Sequence, residues 1–200
     1  MDHVQHLIDE LVGSDFAKKV DAVKELGSCN DPRAVNALID AVSDVNFPLR
    51  QHAAASLGKL KPPHAVDALL QAASDPAAYW QVHELAAWAL GEIGDPRAGD
   101  QLLSLEASGN ADIAQSARFA LVTLNEKRII PRLISGLSSS DEWGRYESAL
   151  LLGRIGDETA ILALERFLSE TVASVRTDID AKRTAKESLR QIQARLKTNA

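Results

Sequence analysis

A short motif that recurs with a period of 31 to 33 residues constrains the fold of this chain more than any other feature. In its fullest form the motif is Leu-Gly, a short gap and then Asp-Pro-Arg-Ala, as at Leu90-Gly91 and 95–98. Five anchor positions carry the motif with varying completeness: 27, 58, 91, 122 and 153. A fixed period of this length is typical of proteins that stack copies of one small structural unit.

Each repeat contains the signals for two helices. An Asp before Pro is favoured at a helix start, because the carboxylate caps free amide groups and Pro has no amide to lose there. Apolar runs at 34–42 and 65–73 predict first helices, and a polar break precedes each second helix. We expect the anchor glycine to end the second helix and to permit the next turn. The predicted hairpins span residues 2–27, 31–60, 63–93, 96–124, 127–155 and 158–196.

A hairpin of this size cannot bury its apolar face alone, so neighbouring hairpins must stack. The sequence therefore predicts one all-α domain over residues 1–200, a right-handed α-α superhelix of about six hairpins. The first hairpin is expected to turn at 13–15. The last helix, placed at about 176–196, is rich in charged residues, as the end of a stack requires.

Charge and composition exclude several classes of function. The formal net charge is −6 and no face looks basic, which argues against a nucleic-acid partner. Neither a secretion signal nor a membrane span is evident, so we expect a cytoplasmic protein without membrane contact. His3 and His6 are the closest histidine pair, and nothing beyond their spacing supports a metal site. No intrinsic cofactor is expected.

An apolar ladder follows the second helices of four successive hairpins, at the position three residues before the anchors 58, 91, 122 and 153. Its members include Trp88, Phe119 and Leu150, and Trp80 and Glu84 share the helical face of Trp88. These side chains either fill gaps between hairpins or form a groove with an aromatic floor for a flat ligand, a peptide or a helix. The candidate binding residues are Trp80, Trp88, Phe119, Arg145, Tyr146 and Leu150. The candidates for proton transfer are His83 and Glu84.

The segments VHELAAWALGEIGDPRAGDQLL (82–103) and RYESALLLGRIGDETA (145–160) resemble the E-Z subclass of HEAT repeats, also called PBS-lyase HEAT-like repeats. The resemblance covers nearly all of residues 1–170. It implies a HEAT-like solenoid similar to the E/F-type phycobilin lyases, which bind an open-chain tetrapyrrole and attach it to, or remove it from, a phycobiliprotein cysteine. The implied partners are a second HEAT-like subunit and a phycobiliprotein client, with a phycobilin as substrate. Since the client supplies the nucleophile, no catalytic constellation is needed here.

Two further family outcomes compete with that function. A non-catalytic scaffold or adaptor needs no special residues, so it stays open, and with it the question of enzyme activity. Deoxyhypusine hydroxylase holds two irons with four His-Glu pairs. This chain has only the pair His83-Glu84, and six residues rather than five separate Glu84 from Gly91, so a di-iron centre is not expected.

Overall fold

A computed structural model describes residues 2–169 and 179–198 of the chain. Within those ranges it contains twelve α-helices and no strand. The helices are α1 (His3–Val12), α2 (Phe16–Leu26), α3 (Pro32–Ala41), α4 (Phe47–Leu60), α5 (Val66–Ser74), α6 (Trp80–Ile93), α7 (Gly99–Glu106), α8 (Ala111–Thr123), α9 (Ile130–Gly136), α10 (Glu142–Ile155), α11 (Glu158–Ser169) and α12 (Ile179–Thr198). Single 3₁₀ turns precede α5, α7 and α9, at Pro63–Ala65, Pro96–Ala98 and Lys127–Ile129.

The helices pack as six consecutive hairpins, from α1 with α2 to α11 with α12. The first hairpin turns between Val12 and Phe16, as predicted. The predicted start of the last helix, at 176, lies outside the described residues. The all-α, HEAT-like stacking of helical hairpins expected from the repeat is confirmed.

The chain divides into two compact units, each with its own apolar interior. Unit 1 extends to Leu124 and contains α1 to α8, and unit 2 begins at Asn125 and contains α9 to α12. Fully buried side chains of unit 1 are Leu26, Leu38, Leu49, Leu57, Leu69, Leu90, Leu102 and Leu121. Those of unit 2 include Ile129, Leu133, Leu151, Leu152 and Ile192.

The Asp-Pro-Arg segment caps the start of a helix and also links its hairpin to the preceding one. The carboxylates of Asp31 and Asp95 accept the amide hydrogens of Arg33 and Arg97 at 2.8 and 2.9 Å, which confirms their predicted capping role. The Arg97 guanidinium also donates to Asp67 at 2.8 Å, on the first helix of the preceding hairpin. Arg33 reaches Asp2 in the same way. The motif therefore joins one hairpin to the hairpin before it.

The expected role of the anchor glycines holds at Gly27, which caps the end of α2, but is wrong at the other three. Gly58, Gly91 and Gly153 lie inside α4, α6 and α10 rather than at turns, and all three are buried. A Cβ added to Gly91 would stand 2.7 Å from the Ala120 Cα, because α6 and α8 cross there almost backbone to backbone. The close packing of α6 on α8 in unit 1 therefore requires a glycine at position 91.

The turn itself is made three residues after the anchor. Lys61, Gly94 and Asn125 adopt left-handed conformations with φ of 52°, 80° and 55°. The amides of Lys61 and Gly94 bond back to the last turn of α4 and α6, the usual way of closing a helix. Because Lys61 is not a glycine, the sequence gives no sign of a turn at that position, and it predicts the turn at the anchor Gly58 instead.

Candidate partner-binding groove

Trp88 and Phe119 line one pocket on the face of α6 and α8 in unit 1. The pocket has a volume of about 270 Å³, and we call it the α6–α8 groove. Its lining residues are Trp88, Gly91, Glu92, Gln115, Ser116, Phe119, Ala120 and Thr123. Both rings are half-buried, so they contact the interior on one side and the groove on the other. The pocket opens because Gly91 and Ala120 leave the crossing of the two helices without large side chains.

Trp88 has a structural contact besides its place in the groove. Its six-membered ring covers Gly58 on α4, where any added Cβ would collide with it. The two interpretations left open by the sequence therefore both hold for this side chain: it fills a gap between hairpins and it forms part of the groove lining. Phe119 does not share this second contact, since its ring is not among the closest neighbours of any described glycine. Its role in the groove can therefore be tested more directly than that of Trp88.

One acidic side chain, Glu92, lines the groove, and Glu84 and Asp112 stand one turn before lining residues on α6 and α8. Glu84 lies one turn before Trp88 on α6 and is half-buried. Burial raises the pKa of the Glu84 carboxyl above its ordinary value, and the nearby Asp112 carboxylate on α8 raises it further. Glu92 pairs with Lys61 at 2.6 Å, so that cation is already engaged. The groove lining thus combines apolar and uncharged polar side chains with one carboxylate that is paired with Lys61.

His83 holds a loop in place. Its Nε2 lies 2.9 Å from the carbonyl oxygen of Asp75, to which it donates, in the loop between α5 and α6. Arg50 on α4 donates to the Asp75 carboxylate at 3.1 Å, with its own side chain only 16% exposed. Both contacts fix the loop rather than face the α6–α8 groove, whose described lining contains neither residue.

Arg145 makes the corresponding contact in unit 2. Its Nη1 donates to the Ser139 carbonyl oxygen at 2.6 Å, in the loop between α9 and α10. Arg50, His83 and Arg145 all stand eight residues before an anchor. Arg145 and His83, which the sequence predicts at the groove, therefore share with Arg50 a loop-fixing contact at one repeat position.

The remaining predicted residues of unit 2 form other surfaces. The Tyr146 ring packs against Trp143, with centroids 5.3 Å apart and an angle of 33° between the planes. Trp143 is 57% exposed and stands second in α10. Leu150 lines a separate depression of about 540 Å³ with side chains of α12. The Trp143–Tyr146 pair went unnoticed in the sequence, although a spacing of three on one helix is a signal for such contact.

Trp80 lies at the beginning of α6 and is 41% exposed. The described lining of the α6–α8 groove does not include it. Its neighbour Tyr79 packs on Phe47 of α4, with ring centroids 4.7 Å apart. Trp80 and Tyr79 therefore belong to the loop side of the hairpins, two turns of helix away from Trp88.

Among residues 2–169 and 179–198, no group of three or more His, Cys, Asp and Glu side chains is placed to hold a metal ion. Within the same ranges, every helix is too short or too polar to cross a lipid bilayer.

Comparisons with known proteins agree on the repeat type. A family model described as HEAT repeats matches residues 4–82, 46–121 and 102–181. No curated protein sequence matches the chain.

Solved structures share the fold at low identity. The complex of CpcE and CpcF of phycocyanin lyase from Nostoc sp. PCC7120 matches with a TM-score of 0.58 and 21% identity, over 94% of this chain and 95% of that one. Human deoxyhypusine hydroxylase matches with a TM-score of 0.51 and 18% identity, over 94% and 84%. A designed armadillo repeat protein in complex with the peptide (KR)4 matches with a TM-score of 0.67 and 13% identity, over 96% and 100%.

These likenesses concern the fold, whereas the sequence model covers most of the chain. Its matched segments run without interruption from residue 4 to residue 181 and contain every anchor position. The chain belongs to the HEAT-repeat family.

Proposed function

We propose that this HEAT-repeat protein is a binding scaffold that holds a segment of a partner protein in the α6–α8 groove. The observation that carries the proposal is the half-buried pair Trp88 and Phe119 around an open pocket of about 270 Å³. An apolar partner side chain would gain buried contact there, and aromatic residues often dominate binding energy at such anchors. Gln115, Ser116 and Thr123 provide hydrogen-bonding groups at the groove.

The contacts of the polar candidates favour binding over catalysis. His83 donates to a loop carbonyl, so its Nε2 proton is committed. Glu84 is not among the described lining residues of the α6–α8 groove. Its raised pKa instead has ordinary causes, burial and the Asp112 charge. A scaffold needs neither residue to react.

A second candidate function is the handling of a phycobilin together with a second HEAT-like subunit and a phycobiliprotein client. The presence of both Trp88 and Phe119 in the groove lining supports it, because a flat conjugated ligand packs well on aromatic faces. The charge of the groove lining gives weaker support to bilin binding. The lining contains no Lys or Arg for the carboxylates of a bilin, and Lys61 is paired with Glu92.

A peptide-display selection against the purified protein tests the scaffold proposal. Peptides enriched on the wild type should bind at least about tenfold more weakly to Phe119→Ala, which corresponds to about 1.4 kcal/mol. Phe16→Ala is the matched control, because Phe16 is an exposed phenylalanine at the start of α2. Circular dichroism should confirm that all three proteins keep the same helicity.

Equal binding to the wild type and to Phe119→Ala would contradict the scaffold proposal at this groove. Gln115→Ala provides a second variant, should Phe119→Ala lose helicity. Mixing the protein with phycocyanobilin tests the second candidate: a shifted visible absorption band that Phe119→Ala abolishes would favour bilin handling over peptide binding.

A further inference from the structure

The exposed rings at the start of α10 form a surface distinct from the α6–α8 groove. Trp143 exposes 57% of its surface and stacks against Tyr146 at 5.3 Å. Large aromatic side chains are usually buried, so an exposed tryptophan that packs on a half-buried tyrosine marks a candidate site of interaction.

The two rings form one wall of a pocket between the starts of α10 and α12. The pocket has a volume of about 490 Å³, room for a long side chain. Its lining residues are Asp141, Glu142, Trp143, Tyr146, Asp180 and Arg183. Rings and carboxylates thus share one opening within unit 2.

The charge of the lining selects the sign of an occupant. Arg183 pairs with Asp180 at 2.7 Å, so these two charges offset each other. Asp141 accepts the Gly144 amide hydrogen at 2.9 Å as the cap of α10, and Glu142 follows it. Three carboxylates and one guanidinium leave a net charge of −2 at neutral pH, beside rings whose faces attract cations.

We propose that this pocket binds the cationic side chain of an arginine or lysine from a partner polypeptide. The cation would lie against the Trp143 ring and pair with Glu142. An exposed cation–π contact and an exposed ion pair together strengthen binding by at most about thirtyfold. Contacts of this strength bind a free cation only at high concentration, so tight binding requires a larger contact made by a polypeptide. The proposal stands apart from the proposed function, since it rests on unit 2 alone.

The test is an NMR titration of the tryptophan indole N–H signals with N-acetyl-argininamide. The neutral control probe is N-acetyl-citrullinamide, which has nearly the same shape without the charge. The Trp143 signal should shift saturably with the arginine probe and much less with the citrulline probe. The signals of Trp80 and Trp88 should stay in place as internal controls.

Two variants of opposite expected sign sharpen the test. Glu142→Gln should weaken binding of the arginine probe by about threefold or more, because an exposed ion pair is lost. Arg183→Gln should strengthen it by a similar factor, because a competing cation is removed and Asp180 is released. Equal shifts with both probes, no Trp143 shift at the highest soluble concentration, or weaker binding by Arg183→Gln would each overturn the proposal.

Discussion

The helix crossing at Gly91 in unit 1 differs from the crossing at Gly153 in unit 2, although both glycines hold the same repeat position. Gly27 in unit 1 faces the Ser56 side chain much as Gly153 faces Ser188. In unit 1 the anchor glycine Gly91 faces the backbone of Ala120, and Gly58 is covered by the Trp88 ring. In unit 2 the anchor glycine Gly153 faces the Ser188 side chain on the longer helix α12. The tight crossing shelters an aromatic pocket between α6 and α8. One repeat motif therefore supports different surfaces, and the partner helix decides which.

The largest difference expected from this comparison concerns stability. We predict that Gly91→Ala lowers the free energy of unfolding by about 2 kcal/mol, although alanine is the better helix former by about 1 kcal/mol. The added Cβ would lie 2.6 Å from the Ala120 Cβ and 2.7 Å from its Cα, and a backbone cannot move aside cheaply. Chemical denaturation followed by circular dichroism measures the loss.

Gly153→Ala is the matched variant in unit 2. The Ser188 hydroxyl and the Gln191 Oε1 can rotate away from the added Cβ, whereas the Ser188 Cβ at 2.8 Å must shift slightly. None of these nearest atoms belongs to the backbone, so the loss should be smaller than for Gly91→Ala. Hydrogen exchange of the α6 and α10 amides would assign each loss to its unit. Equal losses for the two variants would mean that the crossings are equally tight and that the comparison fails.

A smaller effect is expected at the end of α10. Arg195 on α12 donates to the carbonyl oxygens of Gly153, Arg154 and Gly156 at 3.1, 2.8 and 2.6 Å. These carbonyls end a helix and lack partners within it, so Arg195→Met should cost about 1.5 kcal/mol.

Arg190 is the matched control on the same helix. It pairs with Glu187 at 3.6 Å, and its side chain is 76% exposed. Arg190→Met should therefore change stability by less than about 0.5 kcal/mol. Thermal melts of both variants check the pair, and an Arg195→Met melt unchanged from the wild type would remove the capping role.

The period of the repeat is sufficient to predict the positions of the helices, whereas it does not predict which residues most side chains contact. Period, Asp-Pro corners and apolar spacing sufficed for the hairpins, because these signals act within a few residues of each other. The contacts of His83 and Arg145 with loop carbonyls depend on the course of the loops, which no local pattern encodes. The sequence leaves Trp88 either in a gap between hairpins or in a groove, and it cannot identify Gly58 on α4 as the residue beneath the ring, for the same reason.

The sequence alone does not distinguish a glycine at a turn with positive φ from a glycine at a close helix crossing, because both positions favour this residue. Gly94 makes a turn with positive φ, while Gly91, three residues before it, serves a helix crossing. At Lys61 the turn has no glycine at all, so the anchor at Gly58 was the available candidate. The two roles can be distinguished only by the residues of another hairpin that pack against the glycine.

The smallest predicted effect is electrostatic and belongs to the groove of unit 1. Because burial and Asp112 raise the Glu84 pKa, the protonated carboxyl is favoured in the folded state. That contribution to stability is present below the unfolded pKa and is lost as pH rises through the folded pKa. At neutral pH the ionised carboxylate is therefore slightly unfavourable, and Glu84→Gln should stabilise the protein by less than about 0.5 kcal/mol.

Asp112→Asn should lower the Glu84 pKa partway toward its ordinary value, since burial remains as the larger cause. NMR titration of the Glu84 side-chain carbon follows this directly. An unchanged Glu84 pKa in Asp112→Asn would show that the two carboxylates do not interact across α6 and α8.

NMR mapping of a display-selected peptide on the protein tests the central claim most directly. Phe119 rather than Trp88 is the residue to vary, because the Trp88 ring also covers Gly58. If the α6–α8 groove holds the partner segment, the Trp88 indole signal and the amides of 115–123 shift together, and Phe119→Ala removes the shifts. Shifts concentrated at Tyr79, Trp80 and the hairpin loops, with the Trp88 signal unchanged, would contradict the claim.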